Sequence, residues 1–142
     1  MKINDLIPTI DCDNKKDVIL LVEDEPAIRE ITKMILEKVG YYVLESFDGY
    51  DALTIFMKYM NKINCIVCDL RMEFMQGEEF IENVYQHKST IPVVLTSGRT
   101  DTIAEYRSQC KNPLKFFLEK PYGMSKLKEV VNKAIEKKND KI

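Results

Sequence analysis

Short, unbroken apolar runs alternate along this chain with segments whose apolar residues recur at helical spacing, and that alternation constrains the fold more than any other feature. Val18-Ile19-Leu20-Leu21-Val22 is apolar throughout. A strand with one face in water would alternate, so a continuous run of strand length belongs in a sheet covered on both faces. Asp24-Glu25-Pro26 follows, with an acid at a capping position and proline early in the first turn. Ile28, Ile31, Ile35 and Val39 then recur at helical spacing, and Gly40 ends the helix. The unit repeats. Tyr41 to Ser46 reads as a strand, and Ala52, Leu53, Phe56, Met57 and Met60 as a helical face. Ile63 to Cys68 precedes a face of Phe80, Ile81, Val84 and Tyr85. Ile91 to Thr96 has Pro92 at its start, where a missing N–H is tolerated. A thin face of Ile103, Tyr106 and Cys110 comes next, then Leu114 to Leu118, then Leu127, Val130, Val131, Ala134 and Ile135.

Five such units predict an α/β fold: a flavodoxin-like (βα)5 doubly wound parallel sheet, strand order 2-1-3-4-5, with helices on both faces. At 142 residues the chain has the size of one domain. Its 21 basic and 23 acidic residues leave a net charge of −2, which argues against a broad basic face for nucleic acid. No apolar run is long enough for a membrane helix, and the first residues lack the apolar core of a signal peptide. Four cysteines suit a reduced, cytoplasmic protein. Cys65 and Cys68 form a C-x-x-C, but strand positions three apart face opposite ways, so they cannot share a metal and read as buried apolar groups. Cys12 and Cys110 have no evident partner.

In doubly wound sheets ligands bind beyond the carboxyl ends of the strands. Glu23, Asp24 and Glu25 sit there after the first strand and Asp69 after the third. Thr96, Ser97 and Gly98 follow the fourth, and Glu119, Lys120 and Pro121 the fifth. Clustered carboxylates repel unless a cation joins them, and hard oxygen ligands suit Mg²⁺ (or Mn²⁺). A carboxylate can also act as a nucleophile toward phosphorus. Lys120 would neutralise charge on a transferring phosphoryl group, Ser97 could donate a hydrogen bond to it, and Gly98 leaves room for its approach.

The segments VILLVEDEPAIREI, IVCDLRM with QGEEF, IPVVLTSG and FLEKPY resemble the receiver domain of two-component response regulators, from about Asp17 to about Lys137. The resemblance implies that Asp69 is the phosphoacceptor. It implies Asp24, Asp69 and the backbone carbonyl of Arg71 as Mg²⁺ ligands, with Glu23 acting largely through water. Ser97 matches the switch hydroxyl, Phe117 the switch aromatic, and Lys120-Pro121 the Lys-Pro pair, where a cis bond is usual. Where the family commonly has Met-Pro, Met72 is followed by Glu73, so loop 73–76 is expected to be more mobile. Gln76 stands where an acid is common. Arg71 and Arg99 occupy positions that influence phosphoryl lifetime, and are expected to screen the phosphoryl group.

The implied function is a phosphoacceptor receiver in two-component or phosphorelay signalling, not a turnover enzyme, as a single-domain regulator or as part of a hybrid kinase or larger regulator. LVEDEPAIRE looks like the lead-in of receivers attached to hybrid kinases. Expected partners are a histidine kinase or histidine phosphotransfer protein, an output partner of unspecified kind and a weak homodimer, with no direct contact to nucleic acid or membrane. The alternative is a phosphorylation-independent receiver-like binding module. An FMN site is disfavoured because Glu23-Asp24-Glu25 would repel the phosphate. A phosphatase with an aspartate nucleophile needs a second Asp at Arg71, and a cap domain. His87 reads as a surface residue. Residues 1–16 read as a flexible arm or linker, with docking the lesser alternative, residues 17–138 as the receiver, and 139–142 as a charged tail.

Overall fold

The computed structural model describes residues 7–11, 13–72 and 75–139. The strands are β1 (Val18–Val22), β2 (Tyr42–Ser46), β3 (Ile63–Asp69), β4 (Val93–Ser97) and β5 (Lys115–Glu119). The helices are α1 (Pro26–Val39), α2 (Gly49–Tyr59), α3 (Gly77–His87), α4 (Thr100–Gln109) and α5 (Met124–Asn139). The sheet is parallel in the expected order β2-β1-β3-β4-β5. Every residue of β1 and β4 is buried, as their unbroken apolar runs require.

Two apolar clusters cover the two faces. Leu20, Ile66 and Cys68 pack with α2 and α3, while Ile19, Leu21, Cys65 and Val67 pack with α5. Cys65 and Cys68 therefore lie on opposite faces, fully buried, and burial pushes both thiols up, Cys65 to about 12. That excludes a shared metal. A register shift lets β3 skip Asn64, whose side-chain oxygen accepts the Val18 N–H at 2.8 Å.

α1 begins with Pro26, and Gly40 caps it at φ 116°, a left-handed conformation that glycine adopts without penalty. Its buried seam differs from the one expected. Thr32 and Leu36 are buried, whereas Ile31 is 56% exposed. Thr32 tolerates burial because its hydroxyl meets the Tyr122 hydroxyl at 3.0 Å. α5 buries all five residues that its spacing predicts, and α4 buries only Ile103.

Part of the stretch expected to be a flexible arm is docked. Ile10 is buried in the α2/α3 cluster and Ile7 packs against it. The Tyr59 hydroxyl donates to the Pro8 carbonyl at 2.7 Å and the Tyr42 hydroxyl to the Thr9 carbonyl at 3.1 Å. Residues 1–6 and Cys12 lie outside the described residues, as do Glu73 and Phe74 of the loop expected to be mobile and residues 140–142 of the expected tail. Asn139 itself closes α5.

Candidate functional site

The site lies at the carboxyl end of the sheet. β1 delivers Glu23, which is 2% exposed, and Asp24, which is half-buried. β3 ends on Asp69, also buried. One carboxylate oxygen from each of the three comes within 4.8 Å of the others. From the end of β5, the Lys120 Nζ donates to Glu23 Oε1 at 2.6 Å and to Asp69 Oδ2 at 3.1 Å. The Arg71 N–H donates to the other Asp69 oxygen at 3.2 Å. The Lys120-Pro121 bond is cis, as expected, and the Lys120 N–H donates to the Ser97 carbonyl at 2.7 Å, tying β5 to β4.

Burial pushes the Glu23 carboxyl up to about 7; Lys120 opposes the shift and the Asp69 charge adds to it. Burial works to lower Lys120 as well, but its two carboxylate partners outweigh it and hold the ammonium above its ordinary value. One ammonium thus pairs with two of the three crowded acids, Glu23 and Asp69. Crowded oxygen donors of this kind fit a hard divalent cation such as Mg²⁺ or Mn²⁺.

Gly77 comes so close to β3 that a Cβ there would stand 2.3 Å from the Asp69 carbonyl, so only glycine lets α3 start against the acid-bearing strand. A Cβ at Gly98 would meet no atom within 4 Å, so the fold itself does not demand glycine there. The Ser97 hydroxyl accepts the Arg99 N–H at 3.1 Å. Phe117 is half-buried on the α4 side, with the Arg107 guanidinium 5.9 Å from its ring centre.

The two arginines expected beside a phosphoryl group are differently disposed. Arg71 lines a cleft of about 510 Å³ with Gln76, Glu78, Glu105 and Tyr106. The Arg99 guanidinium is engaged by Asp101 at 3.1 Å. His87 is exposed at the end of α3. Sequence reasoning missed Arg29, which donates to the Glu23 carbonyl at 2.8 Å. A single arginine on a helix carries no periodic signal that could have marked it. It also missed a crevice of about 440 Å³ beside Lys120 and Gly98, lined by Ile28, Ile31, Pro121 and Tyr122, because the side chains involved come from distant segments.

A five-stranded doubly wound sheet with an acidic cluster and a lysine at its carboxyl end is the arrangement to compare with known families. The profile of the response regulator receiver domain matches residues 19–132, and the chain belongs to that family. It is similar to the sensor histidine kinase RcsC of Salmonella typhi, 30% identical over 129 residues that make up 88% of this chain and 13% of that protein. The transcriptional regulatory protein SrrA of Staphylococcus aureus is 33% identical over 84 residues, 59% of this chain and 34% of that protein. The chain thus spans about a third or less of the length of these curated relatives. Among solved structures, the receiver domain of the hybrid histidine kinase CckA superposes with a TM-score of 0.71 at 30% identity, covering 83% of this chain and 98% of that one. A receiver domain protein from Clostridium thermocellum shares the fold with a TM-score of 0.80 at 24% identity, covering 89% and 99%. The chain is therefore a receiver domain of two-component systems, homologous both to receivers of hybrid kinases and to response regulators. Among the described residues, no helix is long and apolar enough to cross a membrane.

Proposed function

We propose that this receiver takes a phosphoryl group from a phosphohistidine on a histidine kinase or histidine phosphotransfer protein onto Asp69. The observation that carries this reading is Lys120, held at 2.6 Å from Glu23 and 3.1 Å from Asp69, within a cluster of three carboxylates. An Asp69 oxygen attacks phosphorus; the donor's phosphorus–nitrogen bond breaks, and the imidazole keeps the electron pair and takes up a proton. Mg²⁺ or Mn²⁺, held by Asp24, Asp69 and the Arg71 carbonyl with Glu23 largely through water, would supply positive charge for the phosphoryl oxygens.

The chain's own residues do the rest. Lys120 orients the Asp69 carboxylate and can follow the phosphoryl oxygens as charge moves outward. Ser97 gives up its contact with the Arg99 N–H and donates its hydroxyl proton to a phosphoryl oxygen. Phe117, which lines the clefts on both sides of β5, has room to turn as the Ser97 loop moves. The result is a population shift of the α4/β5 face toward an output partner. We assign influence on phosphoryl lifetime to Arg71 and Arg99; the exposed Arg99–Asp101 pair is weak enough for the Arg99 guanidinium to leave it for a phosphoryl oxygen. The crevice beside Lys120, with the exposed Ile31, offers a histidine donor an apolar edge next to Asp69.

The test uses acetyl phosphate with Mg²⁺ and intact-mass detection. The wild-type chain should gain one acid- or base-labile phosphoryl group and Asp69→Ala none. Equal labelling of Asp69→Ala would overturn the assignment.

A further inference from the structure

We propose that Arg29 is a positioning residue for the acidic cluster: it fixes the peptide joining Glu23 to Asp24 and so aims both carboxylates at a shared cation. This rests on the divalent-cation reading above. The Glu23–Asp24 peptide is the hinge on which two adjacent acids turn, and their mutual repulsion favours swinging them apart. Arg29 Nη1 donates to the carbonyl of that peptide at 2.8 Å. On the other side of the same residue, the Glu23 N–H donates to the Ser46 carbonyl at 3.1 Å. Glu23 is thus held at both of its peptide groups, once by the sheet and once by a side chain from the first helix.

The guanidinium is itself braced. Its Nε lies 3.6 Å from Glu45 Oε1 on β2, and the other Glu45 oxygen is taken by Lys33 at 2.7 Å. Arg29 retains only 19% of its side-chain exposure, well below the 44% of Glu45, so it is the inner member of the chain of charges. A planar fork can reach a carbonyl and a carboxylate at once, which a lysine ammonium on a flexible stem does less well. Support of this kind around metal ligands commonly matters about 10- to 100-fold in metal affinity.

Arg29 is a cation near a proposed cation site, so charge and positioning predict opposite outcomes. By Coulomb repulsion alone, Arg29→Gln would bind a divalent cation more tightly. If Arg29 positions the acids, the same variant binds it more weakly. Mn²⁺ binding by calorimetry or electron paramagnetic resonance, at fixed ionic strength, separates them. We expect Arg29→Gln to bind roughly 10-fold more weakly than wild type, and Arg29→Lys to fall between. A thermal melt of each variant without metal identifies those that fold. Equal or tighter binding by folded Arg29→Gln overturns the role of Arg29 while leaving the receiver chemistry intact. If Arg29→Gln does not fold, Arg29→Lys decides, and binding equal to wild type overturns the role. A wild-type chain that binds no Mn²⁺ overturns the divalent-cation reading and this role together.

Discussion

At the scale of single residues, the site is an imbalance of charge. Three carboxylates crowd together with one ammonium that pairs with two of them, and burial makes ionising costly for the most deeply buried, Glu23. Its carboxyl is raised from an ordinary 4.5 to about 7, so the folded chain binds this proton more tightly than the unfolded chain does. The stability linked to that proton is fully present below 4.5 and is lost as pH rises through about 7. With EDTA present, wild type should therefore melt at a lower temperature at pH 8 than at pH 5. Saturating Mg²⁺ supplies the missing positive charge and should recover most of the loss at pH 8. Glu23→Gln cannot ionise and should show a shallower dependence in EDTA. Parallel melting curves for the two proteins would show that another group sets the slope. Most of this site was legible because Glu23, Asp24, Asp69 and Lys120 each follow directly on a readable apolar strand. Arg29 was not, because its contact with the Glu23 carbonyl depends on the packing of a helix against a neighbouring strand.

At the scale of elements, periodicity served where one apolar stripe dominates and failed where apolar residues are spread around the helix. α5 has one stripe, and all five of its expected core residues are buried. α1 has apolar residues around much of its circumference, so counting them drew the seam through Ile31. The chain instead buries Thr32, whose hydroxyl finds Tyr122, and leaves Ile31 and Met34 at 56% and 55% exposure. The segment before β1, with its mixed polar and apolar residues, reads as a flexible arm or linker, with docking only the lesser alternative. Its anchoring rests on two isoleucines, Ile10 buried and Ile7 packed against the same cluster, and on backbone carbonyls accepting from two tyrosines that lie 33 and 51 residues further along. That segment precedes the 19–132 stretch matched by the family profile, yet its Ile10 is packed into the core. Ile10 is 7% exposed, so Ile10→Ala should cost about 2–5 kcal/mol by losing buried apolar atoms and leaving a cavity. Tyr59→Phe, which leaves the Pro8 carbonyl without its donor, should cost about 1 kcal/mol. Denaturant unfolding measures both. An Ile10→Ala loss under 0.5 kcal/mol, within the range of ordinary surface substitutions, would mean the segment does not dock in solution.

At the scale of the whole molecule, the helices are held unequally, and the inequality falls beside the site. Topology was legible because unbroken apolar strands joined by helices leave few right-handed arrangements. The thin apolar face of α4 was legible too, as the weakest of the helical patterns, and its meaning is energetic. α4 buries only Ile103, where α5 buries Leu127, Val130, Val131, Ala134 and Ile135. Clefts of about 510 and 450 Å³ line its flank facing α3. Its start is tied to the sheet by the Thr100 hydroxyl donating to Glu119, an exposed contact of small worth. A helix with one buried anchor opens at lower free energy than one with five, since local opening exposes far less apolar surface. Amide hydrogen exchange should therefore be faster across Thr100–Gln109 than across Met124–Asn139. Ile103→Ala should raise exchange in α4 while leaving α5 close to wild type, because Ile103 packs in the cluster on the face of the sheet opposite α5. The Ser97 loop leads directly into α4, so capture of Ser97 by a phosphoryl group would act on the element that costs least to move. Beryllofluoride, a phosphoryl mimic, should accordingly change exchange in α4 more than in α5. Equal protection of the two helices without ligand would show that α4 is held by more than the packing visible here, and that the switch must be sought in another element.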